Sequence, residues 1–326
     1  MASSARRCVA RTNLKRMKNL FQEIEVRGAR RALHTLALGS KELNSSIGKY
    51  MFRGQGDANW EALPAAFRPD AKMFGEHALY PIGKRTNRDQ VHAELFMLEA
   101  FARELNQVGL YFGDESVLNI SGIDYQRFHN EVGRSETIWP PSRFHGVMAL
   151  AQHSGMPTRL LDWSWDPYVA LYFAARKALE IQSDYFAVYA LNSLNILYSG
   201  IENNSASEYL SRLSGKQRMR REYCLVQTPS HLNHNLRAQK GFFLTYVEAP
   251  FRANDGFEPM SVDKLAKDAD KTGIFRLKKF IVPTVHAKEL LILLSSKFYN
   301  ATMLFPGYEG AIAGLNDKYL SNLRRT

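Results

Sequence analysis

Cysteine is scarce in this chain: Cys8 and Cys224 are the two among 326 residues. Two thiols cannot build the disulfide framework of a small secreted domain, and neither belongs to a CxxC pair. That usage fits a reducing, cytoplasmic compartment. Long uncharged apolar runs are missing too. The longest strongly apolar stretch, Leu290-Leu291-Ile292-Leu293-Leu294, falls far short of the roughly 20 residues that span a bilayer, so no membrane partner is expected. The first residues are rich in Arg without an apolar core, which argues against a secretory signal, although a transit peptide shares that composition. Four chemical fingerprints are also absent: GxGxxG after a strand, GxxxxGK[ST], HExxH and GxSxG. Rossmann, P-loop, zinc-protease and α/β-hydrolase readings lose their main support. His231 and His234 form an HxxH pair, but no third ligand stands at a recognisable spacing, so no metal is expected.

What is present is ordinary in amount and uneven in distribution. Hydrophobic residues make up 45% and charged residues 23%, as in a soluble globular protein, and the length allows one large domain or two small ones. The formal net charge is +11. Residues 1–34 hold nine Lys or Arg against Glu23 and Glu25, a surplus of seven out of the eleven. A basic arm is the footprint of a protein that meets phosphates; a solubilising or partner-docking segment has the same composition. Arg212, Lys216, Arg218, Arg220 and Arg221 form a second basic cluster. Its plain reading is a solvated helix face, and with the arm it would make a groove for a polyanion.

Periodicity supplies the elements. Leu14, Met17, Leu20, Phe21 and Ile24 fall at helical spacing, which predicts one or two amphipathic helices over residues 12–38. Helices are also predicted over 91–108, from an N-cap at Ser142 to Ser154, over 167–181 from Pro167, and over 287–298; the polar segment 199–222 reads as helical. Strands are predicted over 48–54, 158–163, 185–191, 241–247 and 273–281. Residues 64–90 and 109–141 read as loops or irregular chain. Helices and strands mix without regular βαβ alternation, so the class is α+β.

Within these elements a few polar residues stand out. Arg53 lies in an apolar strand ahead of Gly54. A guanidinium there offers a planar fork for a phosphate or carboxylate, and Gly54 permits close backbone approach; a salt bridge to Asp57 or Asp162 is the competing reading. Thr158, Arg159, Asp162, Trp163 and Ser164 crowd the end of a strand before Pro167. Trp163 offers a stacking face and Ser164 a hydroxyl, whereas Asp162 reads as a helix cap or a partner of Arg159. Arg237 and Gln239 alternate with apolar neighbours, and His153 reads as a structural histidine.

Four blocks carry a family resemblance: Tyr50-Met51-Phe52-Arg53-Gly54-Gln55; Gln152-His153-Ser154-Gly155-Met156-Pro157-Thr158-Arg159-Leu160-Leu161-Asp162-Trp163, running on to Ala175; Asn235 to Phe243; and Leu304-Phe305-Pro306-Gly307-Tyr308-Glu309-Gly310. In this order, over about residues 46 to 315, they resemble the FRG domain, named for its Phe-Arg-Gly motif. FRG domains look like distant relatives of ADP-ribosyltransferases and occur in bacterial and phage proteins, often in toxin or defence settings. Charge and helical spacing set off a basic helical arm over 1–45 ahead of these blocks. The resemblance implies a domain over 46–326 with a split, mixed or antiparallel β-sheet, flanking helices and a loop-rich insertion near 64–141. It implies NAD⁺ as co-substrate, held by Arg53, Gly54, Gln55, Thr158, Arg159, Trp163, Ser164 and Gln239. Glu309 matches the late carboxylate of such transferases by order, with Glu248 and Glu289 as alternatives. The implied activity is transfer of ADP-ribose to nucleic acid, RNA ahead of DNA, in a toxin or defence effector that an antitoxin or chaperone could neutralise. NAD⁺ hydrolysis on the same site, or an inactive nucleic-acid-binding module, are the other readings.

Overall fold

The computed structural model describes residues 21–44, 49–73, 83–112, 117, 139–192, 220–228, 234–249, 254–269 and 276–322. The arm through residue 20, most of 109–141, residues 199–219 and His231 lie outside the described residues.

Seven strands form one sheet: β1 (Phe21–Glu25), β2 (Tyr50–Gln55), β3 (Leu160–Ser164), β4 (Tyr185–Asn192), β5 (Arg220–Val226), β6 (Gly241–Ala249) and β7 (Leu277–Pro283). Their spatial order is β1-β7-β4-β2-β3-β6-β5. β1 runs parallel to β7, and every other neighbouring pair is antiparallel. The helices are α1 (Ala29–Thr35), α2 (Asn87–Gln107), α3 (His145–His153), α4 (Pro167–Ile181), α5 (His234–Ala238), α6 (Val262–Ala269), α7 (Ala287–Ser295), α8 (Ala301–Leu304) and α9 (Tyr308–Asn322). The class is α+β, as expected. Among the described residues no helix is long and apolar enough to cross a membrane.

Alternation along the strands sorts side chains to the two faces. Phe52, Phe186, Val188, Phe280 and Val282 share one face, where α1, α4, α7 and α8 cover them. Phe52 is paired with Ser164, so Leu160 and Asp162 share that face as well. There Leu160, Phe243 and Val226 pack against α2 and α3 instead. Two helix groups thus cover the two halves of one face. The opposite face, with Met51, Leu161, Trp163, Tyr189 and Phe242, lies under Phe67, Phe257 and α6.

Local chemistry accounts for the elements nearest the site. Asp166 caps α4, its carboxylate accepting from the Tyr168 N–H, and Pro167 occupies the first turn where no N–H is needed. Gly54 lets α4 lie directly on β2: a Cβ there would stand 2.0 Å from the Ala170 carbonyl oxygen and 2.8 Å from the Ala174 nitrogen. Helix–strand contact is thus a reason for this glycine beyond the ligand approach considered from sequence.

Several expectations are corrected. Residues 21–25 are a strand, not part of a helix: they pair with β7 and deliver Ile24 and Phe21 to opposite faces of the sheet, so tertiary pairing overrides the helical spacing. α2 begins at Asn87, inside the expected loop, because Thr86 and Asp89 form a reciprocal capping box. Ser142 makes no side-chain cap; a short 3₁₀ turn over Ser142–Phe144 precedes α3. Arg220 and Arg221 lie on β5 rather than on a helix.

Candidate functional site

The sheet is tied tightly everywhere except at its centre. β2 pairs with β4 through all six of its residues, and β3 with β6 through all five. Between β2 and β3 there is one ladder pair, Phe52 with Ser164. Continued, that register would set Gly54 opposite Asp162; instead the strands part. The carbonyl of Asp162, left without a β2 amide, accepts a hydrogen bond from Arg53 Nη1 at 2.8 Å. The same nitrogen lies 3.8 Å from Asp162 Oδ2. A side-chain donor thus replaces a missing rung, and the gap it spans is where a ligand can enter.

A cleft of about 1040 Å³ opens at this split. Each of the four sequence blocks lines it. The first gives Phe52, Arg53, Gly54 and Gln55; the second gives Gln152, His153, Asp162, Trp163, Ser164 and Phe173. The third gives Asn235, Leu236, Gln239 and Phe243, and the fourth gives Phe305. The volume is at the upper end of the range of about 300–1,000 Å³ usual for ligand sites. Phe305 packs edge-on against Phe173 at 5.7 Å between ring centres. Gly310 makes that turn possible, because a Cβ there would collide with the Phe305 carbonyl at 1.6 Å.

Charge in the cleft is mixed: Arg53, Arg68, Arg176 and Lys177 face Glu61, Asp70, Asp162 and Glu180. Arg176 is fixed from behind, its Nε donating to Asp317 of α9 at 2.8 Å. Tyr172 donates to the other Asp317 oxygen at 2.5 Å, and burial together with that neighbouring carboxylate raises its pKa, which keeps the phenol protonated. Arg53 is the exceptional cation. Its side chain is 12% exposed. Burial lowers its pKa and the nearby Asp162 charge opposes that shift. Its Nε is buried without a hydrogen-bond partner among the described residues, and so is Trp163 Nε1. Buried donors without acceptors are costly, and both belong to residues that line the cleft.

Comparison with known proteins follows this geometry. Residues 48–183 match the FRG domain family. Over that stretch, less than half of its length, the chain is similar to the FRG domain. The match ends after α4, so β4 to β7 and the third and fourth blocks lie beyond it. No curated protein and no solved structure matches the chain.

Within and beyond the matched stretch, the expected site residues divide in two. Arg53, Gly54, Gln55, Trp163, Ser164 and Gln239 come together at the cleft. Three of them are also bonded into its wall: Gln55 donates to the Glu61 carbonyl, Ser164 Oγ to the Gln239 carbonyl, and Gln239 Nε2 to the Leu304 carbonyl. Thr158, Arg159 and Glu309 are not among the lining residues. Arg159 is committed elsewhere: its Nε and Nη2 grip both oxygens of Glu94 at 2.5 and 2.8 Å, and its Nη1 donates to the Tyr246 carbonyl. Glu309 is exposed on the first turn of α9, not on a strand. Glu289 is exposed on α7, 4.0 Å from Arg30, and Glu248 lies in β6.

Sequence reasoning passed over Asp162 as a cap or as the partner of Arg159. Asp166 is the cap and Glu94 is the partner, which leaves Asp162 facing the cleft. Gln152, Phe173, Arg176 and Phe305 were also missed as wall residues. The signal available for Gln152, Phe173 and Phe305 was their place inside the four blocks. Among the described residues no group of three His, Cys, Asp or Glu side chains is arranged to hold a metal.

Proposed function

We propose that the cleft binds NAD⁺, with Arg53 against its pyrophosphate, and that the protein is an ADP-ribosyltransferase acting on nucleic acid, RNA ahead of DNA. The observation that carries this reading is Arg53 at the split: a nearly buried guanidinium whose Nε has no partner among the described residues, in a cleft large enough for a dinucleotide. A planar cation suits the paired oxygens of a pyrophosphate. Trp163, Phe173 and Phe305 provide apolar and aromatic surface for flat rings. The nucleic-acid acceptor is supported by the net charge of +11 and by the basic surplus of residues 1–34. Single-stranded RNA exposes base edges and faces to a reacting centre. An effector role in a toxin or defence system, neutralised by an antitoxin or chaperone, fits an enzyme that consumes NAD⁺ and modifies RNA.

The test is nicotinamide release with labelled NAD⁺, followed by label transfer to RNA, DNA and protein offered together. Transfer to RNA supports the full reading; release without transfer makes the protein a hydrolase on the same site. One observation favours a further reading. Glu309 lies outside the cleft. If no other carboxylate serves, the cleft binds its ligand without turnover. Tight NAD⁺ binding with no nicotinamide release would then be the outcome.

A further inference from the structure

We propose that Asp162 is the catalytic carboxylate of this cleft and that Gln152 is its positioning residue. The assignment rests on the NAD⁺ reading above.

In the reaction the bond between ribose C1′ and the nicotinamide nitrogen breaks. Its electron pair leaves with that nitrogen and neutralises the pyridinium. Positive charge develops at C1′ and the ribose ring oxygen. An acceptor oxygen or nitrogen forms the new bond at C1′ and releases its proton to water; in hydrolysis water is itself the acceptor. A fixed negative group beside C1′ lowers the barrier because its attraction grows as the charge develops.

Asp162 meets the structural demands of that role. It stands on β3 at the strand parting, two residues from the single β2–β3 rung. Its side chain is 68% exposed toward the cleft, yet it is oriented. Gln152 Nε2 donates to Asp162 Oδ1 at 2.8 Å. Gln152 Oε1 accepts from the Thr158 hydroxyl at 2.5 Å, and Thr158 Oγ1 accepts from the Leu160 N–H at 3.1 Å. The direction of this chain is forced. A carboxylate only accepts, so the Gln152 amide nitrogen faces Asp162, the Gln152 carbonyl oxygen faces Thr158, and the Thr158 hydroxyl donates to that oxygen while accepting from the Leu160 N–H. Arg53 holds the main-chain carbonyl of the same residue. The carboxylate is therefore anchored through one oxygen by a neutral donor, with Arg53 beside the other.

The remaining cleft carboxylates are placed differently. Glu61 is 3.2 Å from Lys264. Glu180 is 3.0 Å from Arg176 and 3.1 Å from Lys177. Asp162 also has a cation beside it, Arg53 at 3.8 Å, but at a longer distance, and the donor bonded to its carboxylate is the neutral Gln152 amide, whereas Glu61 and Glu180 are held by the cations themselves. Asp70 sits on the loop beyond Arg68, and among the described residues no such chain orients it. Thr158, although off the cleft, acts here as the donor behind Gln152.

The experiment uses the full chain, with nicotinamide release and NAD⁺ binding by calorimetry as separate readouts. Asp162→Asn keeps the size and the acceptor for Gln152 and removes the charge. It should lower kcat on the order of 10²–10³-fold while NAD⁺ affinity and melting temperature stay near wild type. Asp162→Glu returns the charge one methylene further out and should recover part of the rate. Gln152→Ala should lower kcat with KM unchanged, because the carboxylate is left unanchored but present. Wild-type release retained by folded Asp162→Asn would overturn this assignment and leave the NAD⁺ reading standing. Loss in Glu309→Gln but not in Asp162→Asn would give the role to Glu309. NAD⁺ binding without release by the wild-type chain would overturn this assignment alone, and neither binding nor release would overturn the NAD⁺ reading with it.

Discussion

Removing Glu94 should destabilise the fold, and the size of the effect can be worked from its surroundings. The Arg159 and Glu94 side chains are 5% and 3% exposed. Glu94 also accepts from Gln90 Nε2 and from Trp139 Nε1, each at 2.8 Å. Arg159 stacks 5.3 Å over the Phe67 ring and 5.9 Å over the Trp139 ring. Glu94→Ala would leave a guanidinium buried without counter-charge, a loss of about 3–5 kcal/mol. Trp139 Nε1 and Gln90 Nε2 would each lose a hydrogen bond, Gln90 keeping the one to the Ala66 carbonyl, and water entering the truncated space offsets part of that. At about 2 °C per kcal/mol for a large domain, Tm should fall by roughly 6–10 °C. The assay is a double-mutant cycle in urea with Glu94→Ala, Arg159→Ala and the pair. Residues in direct contact should couple by about 1–3 kcal/mol. Additive losses would refute the pairing. An Arg159→Ala protein with normal stability and lost NAD⁺ affinity would refute the structural role and return Arg159 to the ligand.

Two other predictions follow from packing and charge. Gly54→Ala should force α4 off β2, lowering stability by about 1–3 kcal/mol as overpacking does and widening the cleft beside Ala170; an unchanged urea midpoint would show that the contact has slack. Replacing the six basic residues Arg6, Arg7, Arg11, Lys15, Arg16 and Lys18 with Gln should leave NAD⁺ affinity unaltered and reduce the salt slope of RNA binding by up to about four, at ~0.7 per phosphate contact on a single strand. An unchanged slope would assign the arm to protein docking instead.

Much of the site was legible as sequence blocks, because polar residues inside apolar runs stand out wherever they fall. Arg53, Trp163, Ser164 and Gln239 were recognised that way, and the fold brings them to one cleft. What a linear reading could not decide was which polar residue answers which. Arg53 and Arg159 are alike in sequence, each an arginine within apolar chain. One faces the split and the other faces Glu94, 65 residues earlier, and only the sheet order separates them. Asp162 was passed over for the same reason: the sequence offered it a cap and a partner that Asp166 and Glu94 supply. Glu309 was expected by order alone. The fourth block reaches the cleft through Phe305, and its second glycine serves the turn that places that ring. β1 was misread because Leu20, Phe21 and Ile24 suit a helix spacing, while the parallel pairing with β7 is a long-range contact that spacing does not encode.

The central claim is that Arg53 holds NAD⁺ in the split of the sheet, and the most direct measurement is nicotinamide release by purified wild-type and Arg53→Ala proteins, with melting curves run alongside. The account predicts release by the wild type, and release reduced on the order of 10²-fold or more by a folded Arg53→Ala protein whose NAD⁺ affinity is also weakened. Turnover and affinity that survive unchanged in folded Arg53→Ala would contradict it.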